Sequence, residues 1–262
     1  MMKVKERAAV VSQTKLTEDI CDLRLKVSFA GECRPGQFVS VMREDKSCLM
    51  PRPISICEAG DGMIRLVYRI VGGGTEEFSC LGAGDSVTVI GPLGNTFPIE
   101  ACAGRRVLLV GGGIGIPPMY NAGKCLVSRE GDAAPAGVAF AAGYRSETYL
   151  DKDMAAAAPL YIATEDGSCG TKGNVLDAIR QQGVVCDVMF ACGPKPMLRA
   201  LKTYADEQGI DLWVSLEEKM ACGIGACLGC VCQSTDIDSH SHVRNKRICK
   251  DGPVFNSRDV VL

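Results

Sequence analysis

The stretch Val107-Leu-Leu-Val-Gly-Gly-Gly-Ile-Gly115 marks the point at which the sequence changes character. Its four apolar residues do not alternate with polar ones, and they run directly into glycines. A short strand that is apolar on both sides is typical of a parallel sheet covered by helices on both faces. The glycines precede a segment that could be helical, which is where a phosphate group can approach a helix N-terminus.

Downstream, short apolar runs alternate with helix-like stretches. The runs occupy residues 137–142, 160–163, 188–192 and 212–216. Helices are expected at 174–182 and 196–208; Asn174 can cap the first, and Asp177 adds a negative charge to its opening turn. This alternation predicts a parallel α/β domain, for which we take residues 103–215.

Upstream, the sequence has the period of two that is typical of strands. Residues 20–27 and 63–71 alternate apolar with charged side chains, and Val87 and Val89 repeat the pattern. Gly, Pro and Asp separate these runs. Residues 1–102 are therefore predicted to form a small antiparallel β-barrel, which makes the fold class α+β multidomain.

Composition limits the function. The 262 residues carry 29 Lys+Arg against 31 Asp+Glu, a net charge of −2, which offers no electrostatic footprint for nucleic acid or an anionic membrane. We find no apolar run near the ~18 residues of a membrane helix and no apolar signal segment at the N-terminus. With 15 cysteines in the chain, we therefore expect a reducing, cytoplasmic location, in which clustered cysteines serve metal or redox chemistry rather than disulfides.

The C-terminal segment, 216–262, is dense in Cys and Gly and would struggle to build a core alone. It contains Cys222-Gly-Ile-Gly-Ala-Cys227-Leu-Gly-Cys230, with Cys249 as a fourth cysteine. This C-x4-C-x2-C spacing is that of plant-type ferredoxins, in which four thiolates hold a [2Fe–2S] cluster. The glycines permit the positive φ angles and close amide approach that such a loop needs.

Structural zinc is the rival for these four cysteines, although zinc sites usually pair their ligands in two short knuckles. Cys232 lies just beyond the loop and is interpreted as a bystander, and His240 and His242 as loop residues. The other cysteines are scattered singly and are interpreted as small buried hydrophobes. They are Cys21, Cys33, Cys48, Cys57, Cys80, Cys102, Cys125, Cys169 and Cys186.

Two motifs in the barrel half suit a pyrophosphate. Arg52-Pro-Ile-Ser55 stands where a strand could begin, and Gly72-Gly-Gly-Thr75 follows another strand. An arginine fork can bind a pyrophosphate, and glycines admit a phosphate close to backbone amides. Each motif alone is weak evidence, since a glycine run after a strand is usually a turn.

The nucleotide signals of the α/β half are incomplete. The glycine run has Ile116 where a full G-x-G-x-x-G has its last glycine, and Arg145 stands where an acid usually follows the next strand. Glu165-Asp-Gly-Ser168 and Cys192-Gly-Pro194 each follow an apolar strand, at the edge where open parallel sheets bind ligands. The residues alone leave the choice between NAD and NADP open.

Taken together, these motifs resemble the ferredoxin-NADP-reductase superfamily. The tail 216–230, with Cys249-Lys-Asp-Gly-Pro-Val-Phe255, is similar to that of the electron-transfer subunits of type B dihydroorotate dehydrogenases. The resemblance implies that the barrel binds FAD, the α/β domain NAD and the tail a [2Fe–2S] cluster. It also implies a catalytic partner that contains FMN and oxidises dihydroorotate, in a heterotetramer of two subunits of each kind.

The resemblance also assigns residues. The flavin is expected against Arg52, Pro53, Ile54, Ser55, Tyr68, Arg69, Ile70, Gly74 and Thr75. The nicotinamide nucleotide is expected against Gly111, Gly112, Gly113, Gly115, Cys192, Gly193 and Pro194, with Cys192 positioning the nicotinamide ring. No side chain is an obvious acid or base, and hydride transfer from a flavin to a nicotinamide needs none.

Two other functions remain open at this point. The first is a reductase subunit of a sulfide dehydrogenase or an electron-bifurcating oxidoreductase, whose relatives tend to vary the first cluster ligand. The second is a non-enzymatic interaction protein with a four-cysteine zinc site, which would have no need for the Arg52 motif.

Overall fold

The structure, a computed structural model, describes residues 3–43, 50–237 and 242–262. Cys48 and His240, interpreted above as a buried thiol and a loop residue, lie outside these ranges. None of the helices within them combines the length and the apolar character that crossing a membrane requires. Every cysteine in the described ranges is a free thiol.

In the described part of the chain, six strands close into an antiparallel barrel in the order β1-β2-β5-β4-β3-β6. They are β1 (Val4–Lys15), β2 (Ile20–Lys26), β3 (Phe38–Met42), β4 (Arg52–Gly60), β5 (Met63–Arg69) and β6 (Ser86–Leu93). Helix α1 (Gly73–Ser79) follows β5. The alternation predicted from the sequence is confirmed: Leu23 and Leu25 of β2 are fully buried and Arg24 is exposed.

The second half of the chain forms the predicted α/β domain. Its elements are β7 (Arg106–Gly112), α2 (Ile116–Val127), β8 (Gly137–Tyr144), α3 (Asp151–Ala157), β9 (Leu160–Thr164), β10 (Thr171–Lys172), α4 (Val175–Gln181), β11 (Val188–Cys192), α5 (Lys195–Gln208) and β12 (Asp211–Ser215). The strands from β7 to β12 are parallel, in the order β10-β9-β8-β7-β11-β12. Asn174 caps α4 as expected, because its Oδ1 accepts the N–H of Leu176 at 2.9 Å.

The C-terminal segment is attached to both halves. It contains the hairpin β13 (Val231–Gln233) and β14 (Asn245–Arg247), and the strand β15 (Val254–Asn256). Strand β15 pairs antiparallel with β12 and so extends the central sheet at its edge. One hydrophobic cluster joins Phe38 and Leu93 of the barrel to Cys230 and Cys249 of this segment. The tail is thus packed into a core that it shares with the barrel.

Charged side chains also connect the barrel to the α/β domain. Arg65 of β5 is 8% exposed and donates to Asp22 of β2 at 2.9 Å and to Asp153 of α3 at 3.0 Å. It also donates at 2.7 Å to Glu58, which pairs in turn with Lys124 of α2. This network holds two helices of the α/β domain against the barrel.

Candidate functional site

The start of β4 and the turn before α1 form a cationic cradle on the barrel. A Cβ at Gly74 would lie 2.5 Å from Arg52 Nε and Nη2, so glycine is required for the guanidinium to rest on this turn. Thr75 Oγ1 accepts the N–H groups of Val71 at 2.9 Å and Gly72 at 3.2 Å, which fixes the turn. An arginine fork above a glycine backbone fits the pyrophosphate of a dinucleotide such as FAD.

The remaining flavin-motif residues divide between the two faces of the barrel wall. Pro53, Ser55 and Ile70 are partly exposed, whereas Ile54 is buried in the barrel core. The Tyr68 ring is 3% exposed and packs edge-on against Phe78 inside the barrel, which leaves the backbone of this residue for the expected flavin contact. The structure therefore brings the Tyr68 side chain into the barrel core and not to the outer surface.

Across from the barrel, two strand ends meet so closely that side chains are excluded. A Cβ at Gly115 would lie 2.1 Å from the carbonyl oxygen of Cys192, and one at Gly112 would lie 2.4 Å from Met197 Sδ. Gly113 has φ +52°, a conformation that glycine adopts without strain. The predicted glycines of β7 and the Cys192-Gly-Pro194 turn are thus brought together at the carboxyl edge of the parallel sheet, the usual ligand edge.

Arg69 reaches from the barrel to this glycine turn. It lies at the end of β5, its Nε stands 3.1 Å from Asp19 Oδ2, and a Cβ at Gly113 would lie 3.8 Å from both terminal nitrogens. Tyr149 secures the turn from the other side, where its hydroxyl donates to the carbonyl of Gly113 at 2.5 Å. The flavin strand and the nucleotide turn therefore face each other across a cleft.

Glu217 is a residue of this cleft that the sequence analysis missed. It follows β12, and its Oε1 lies 4.0 Å from Cys192 Sγ. Its side chain is exposed, but the surrounding protein atoms still remove part of the water from the carboxyl group. This desolvation raises the pKa of the carboxyl, and the charge of Arg69 opposes the rise. Burial, and then the charge of Glu217, raise the pKa of the Cys192 thiol. The signal was present, because Glu217 comes directly after an apolar strand.

The loops after β8 and β9 lie side by side at the same edge. The N–H of Glu165 donates to the carbonyl of Tyr144 at 3.2 Å, and that of Asp166 donates to the carbonyl of Arg145 at 3.4 Å. Glu165 and Asp166, in the loop after β9, thus place two carboxylates beside the position after β8 where an acid is absent. Hydrogen bonds from Ser168 lower the pKa of Asp166, which keeps this carboxylate charged.

The cysteine loop turns its backbone amides toward its thiols. The N–H of Ala226 donates to Cys222 Sγ at 3.3 Å, and that of Gly229 donates to Cys227 Sγ at 3.4 Å. Gly223 and Gly225 have φ of +67° and +85°, as a wrapping loop requires. Burial works to raise the pKa of Cys222, but the amides of Ile224 and Cys227 outweigh it and lower this pKa to about 6. The loop thus stabilises a thiolate.

The four cysteines stand as two pairs. A side-chain hydrogen bond links the thiols of Cys222 and Cys227, and another links those of Cys230 and Cys249; within each pair a backbone N–H also lies 3.4 Å from the other residue's Sγ. Over residues 3–43, 50–237 and 242–262, no group of three or more His, Cys, Asp or Glu side chains is arranged around one metal ion. Two thiolate pairs fit a [2Fe–2S] cluster, in which each iron takes two cysteines, better than one zinc ion bound by all four.

The barrel cradle, the parallel sheet and the facing cleft define a flavin- and nicotinamide-dependent reductase of the ferredoxin-NADP-reductase type. Solved structures share this fold, among them the cytochrome b5 reductase domain of Ulva prolifera nitrate reductase (TM-score 0.63, 19% identity, 79% of this chain and 94% of that one). An NADH-dependent reduced ferredoxin-NADP oxidoreductase is more similar, with TM-score 0.84 and 33% identity over 97% of this chain and 89% of its own.

Relatives of nearly the same length identify the family within this class of reductases. The family model for the iron-sulfur cluster binding domain of dihydroorotate dehydrogenase B matches residues 217–261. Dihydroorotate dehydrogenase B (NAD(+)), electron transfer subunit, of Geobacillus thermodenitrificans is 43% identical, over 98% of this chain and 99% of its own. Its counterpart in Listeria monocytogenes serotype 4a is 40% identical over 97% of both chains. The chain belongs to the family of dihydroorotate dehydrogenase B electron transfer subunits.

Proposed function

We propose that this chain passes electrons from a dihydroorotate-oxidising subunit through a [2Fe–2S] cluster and FAD to NAD+, in pyrimidine biosynthesis. The observation that carries the proposal is the paired arrangement of the four cysteines in a loop packed on the barrel that holds the Arg52–Gly74 cradle. A single chain thus places a one-electron site beside a site for a two-electron carrier. Flavins supply the conversion between the two kinds of transfer.

The protein's own residues bind and orient these groups. Cys222, Cys227, Cys230 and Cys249 would hold the cluster, and the loop amides would stabilise its sulfur ligands. Arg52 and the turn 72–75 would hold the flavin pyrophosphate. The glycines of 111–115 and the turn Cys192-Gly-Pro194 would lie against the nicotinamide nucleotide, beside the barrel strand that carries Arg69, whose terminal nitrogens lie close to Gly113.

The functional units follow the order of the chain. We assign residues 1–102 to FAD, 103–215 to NAD and 216–262 to the cluster. The partner is proposed to be an FMN-containing dihydroorotate dehydrogenase subunit, in a heterotetramer of two copies of each chain. Dihydroorotate oxidation is assigned to that partner, as the similarity to dihydroorotate dehydrogenase B electron transfer subunits implies.

A bifurcating reductase subunit is the second candidate. The structural similarity to an NADH-dependent reduced ferredoxin-NADP oxidoreductase over 97% of the chain favours it. The partner separates the two functions: a dihydroorotate-oxidising FMN protein should restore orotate-linked NAD+ reduction when mixed with this chain. Failure of that reconstitution, with transfer to a second pyridine-nucleotide flavoprotein instead, would favour bifurcation.

Replacing a proposed ligand tests the order of the carriers. Cys227→Ser should remove the cluster and abolish electron transfer from the partner, because one iron loses a thiolate. Reduction of an artificial acceptor by NADH through FAD should survive. Cys232→Ser is the matched control, since Cys232 lies on β13 outside the four-cysteine set. Iron and flavin contents and both activities are measured; loss of both activities with flavin still bound would contradict this order.

A further inference from the structure

The cysteine loop rests directly on a barrel strand. Gly223 follows the first proposed ligand and has φ +67°. A Cβ at this position would lie 2.7 Å from Ser40 Oγ of β3 and 3.7 Å from Leu93 Cδ1 of β6. A side chain at position 223 would therefore push the loop away from the barrel.

Ser40 continues this contact toward the flavin motif. It is 2% exposed, and its partner in the β3–β4 ladder is Pro53, next to Arg52. Strand β3 thus contacts the cysteine loop through Ser40, and its neighbour β4 carries the proposed flavin residues. Gly223 is connected to Pro53 by one packing contact, Gly223 against Ser40, and one strand pair, β3 with β4.

Asn95 secures the other end of the cysteine segment to the barrel. Its Nδ2 donates to the carbonyls of Val254 at 2.7 Å and Asp251 at 3.2 Å, and its Oδ1 accepts the N–H of Val254 at 2.9 Å. The Asn95 N–H also donates to the carbonyl of Gly252 at 2.7 Å. The segment held in this way begins two residues after Cys249 and leads into β15.

We infer that Ser40 and Asn95 are positioning residues that hold the cysteine loop at a fixed distance from the flavin strands and so set the rate of electron transfer between cluster and flavin. The inference rests on the proposed function. Electron transfer between two fixed centres slows steeply as their separation grows, so a small displacement lowers the rate while both groups stay bound. A residue with a purely structural role would instead change cofactor content or stability.

Two variants, one control and one conservative variant test the inference. Asn95→Ala removes the three side-chain hydrogen bonds, and Ser40→Val places a methyl group where the Ser40 hydroxyl meets Gly223. Ser12→Val is the matched control, since Ser12 lies on β1, which β6 separates from β3 in the barrel. Asn95→Gln is the conservative variant, because its amide keeps both a donor for the carbonyls of Asp251 and Val254 and an acceptor for the N–H of Val254.

The experiment is anaerobic stopped-flow mixing of the cofactor-loaded protein with NADH. Transfer of a hydride, two electrons and one proton, from NADH reduces the flavin. One of the two electrons then moves to the oxidised cluster and the other stays on the flavin. Absorbance separates the two phases, and electron paramagnetic resonance of rapidly frozen samples counts the reduced clusters.

We expect the first phase to be unchanged and the second to be about tenfold slower in Asn95→Ala and Ser40→Val, with iron and flavin contents as in the wild type. Asn95→Gln should recover part of the rate. Unchanged second phases in both variants, with full cofactor content, would overturn the inference. So would loss of the cluster in both, since the role would then be structural. A wild-type protein without flavin or cluster would refute the proposed function itself.

Discussion

Glu217 and Cys192 are 25 residues apart in sequence and meet at the carboxyl edge of the sheet, because β11 and β12 are adjacent parallel strands. Cys192 could be found from the sequence, since it is followed by the strand-ending Gly-Pro turn. Glu217 could not be found as readily, because it lies shortly before Cys222 and that segment was interpreted through its cysteine motif. Its raised pKa comes from neighbours that only the fold supplies.

A charge at Glu217 should distinguish NAD+ from NADH. The nicotinamide ring is positively charged in NAD+ and neutral in NADH, so Glu217→Gln should weaken NAD+ binding roughly fivefold, about 1 kcal/mol, and leave NADH nearly unaffected. Because the carboxyl pKa is raised, NAD+ binding by the wild type should strengthen as pH rises through that pKa, with Arg69 and Cys192 as the facing groups.

Titrating both nucleotides against flavin fluorescence over a range of pH measures this effect. The exposed Glu207, in the last turn of α5 and away from the carboxyl edge of the sheet, provides the control Glu207→Gln. Equal losses of affinity for NAD+ and NADH in Glu217→Gln would show that the side chain acts through packing and not through its charge.

At the scale of elements, local periodicity was enough to predict most strands and both of the helices assigned from the sequence. Strand β15 was not predicted, because it has three residues and its antiparallel partner β12 lies some forty positions earlier. The position of the Tyr68 side chain, in contrast, follows from local periodicity. The resemblance assigned Tyr68 to the flavin; Ile64, Leu66 and Tyr68 have the same parity on β5 and share its buried face, so the Tyr68 ring packs inside the barrel.

The Arg65 network gives an element-scale prediction. Arg65→Met should lower the free energy of unfolding by about 3 kcal/mol, because it leaves the nearly buried Asp22 carboxylate without its cation. Arg24→Met on the exposed face of β2 is the control and should change it by less than about 0.5 kcal/mol. Urea denaturation of the two variants measures both values; similar losses would contradict the role of the network.

The same network predicts how stability depends on pH. Burial works to raise the pKa of Glu58, but Lys124 and Arg65 outweigh it and lower this pKa below its usual 4.5. A lowered folded-state pKa contributes stability above pH 4.5 that is lost as the pH falls through the folded value. Arg65→Met should therefore flatten the acid limb of the stability profile. An acid limb as steep as that of the wild type would count against this explanation.

At the scale of the whole molecule, three segments with different sequence patterns share cores and strands. The barrel could be predicted from its period of two and the parallel sheet from its non-alternating apolar runs, and the four-cysteine spacing indicated the cluster. The way the tail joins them depends on Asn95, Gly223 and β15, whose contacts are long-range and leave no local pattern. The fold thus places the cysteine loop, the flavin cradle and the nucleotide edge next to one another.

In the proposed function, this chain holds a cluster and a flavin that NADH can reduce. The most direct measurement is anaerobic purification of the chain, followed by an absorption spectrum, iron, zinc and flavin assays, and titration with NADH. We predict two irons and one FAD per chain, with both chromophores bleached by NADH. A colourless, iron-free protein that carries zinc on its cysteines would contradict the account.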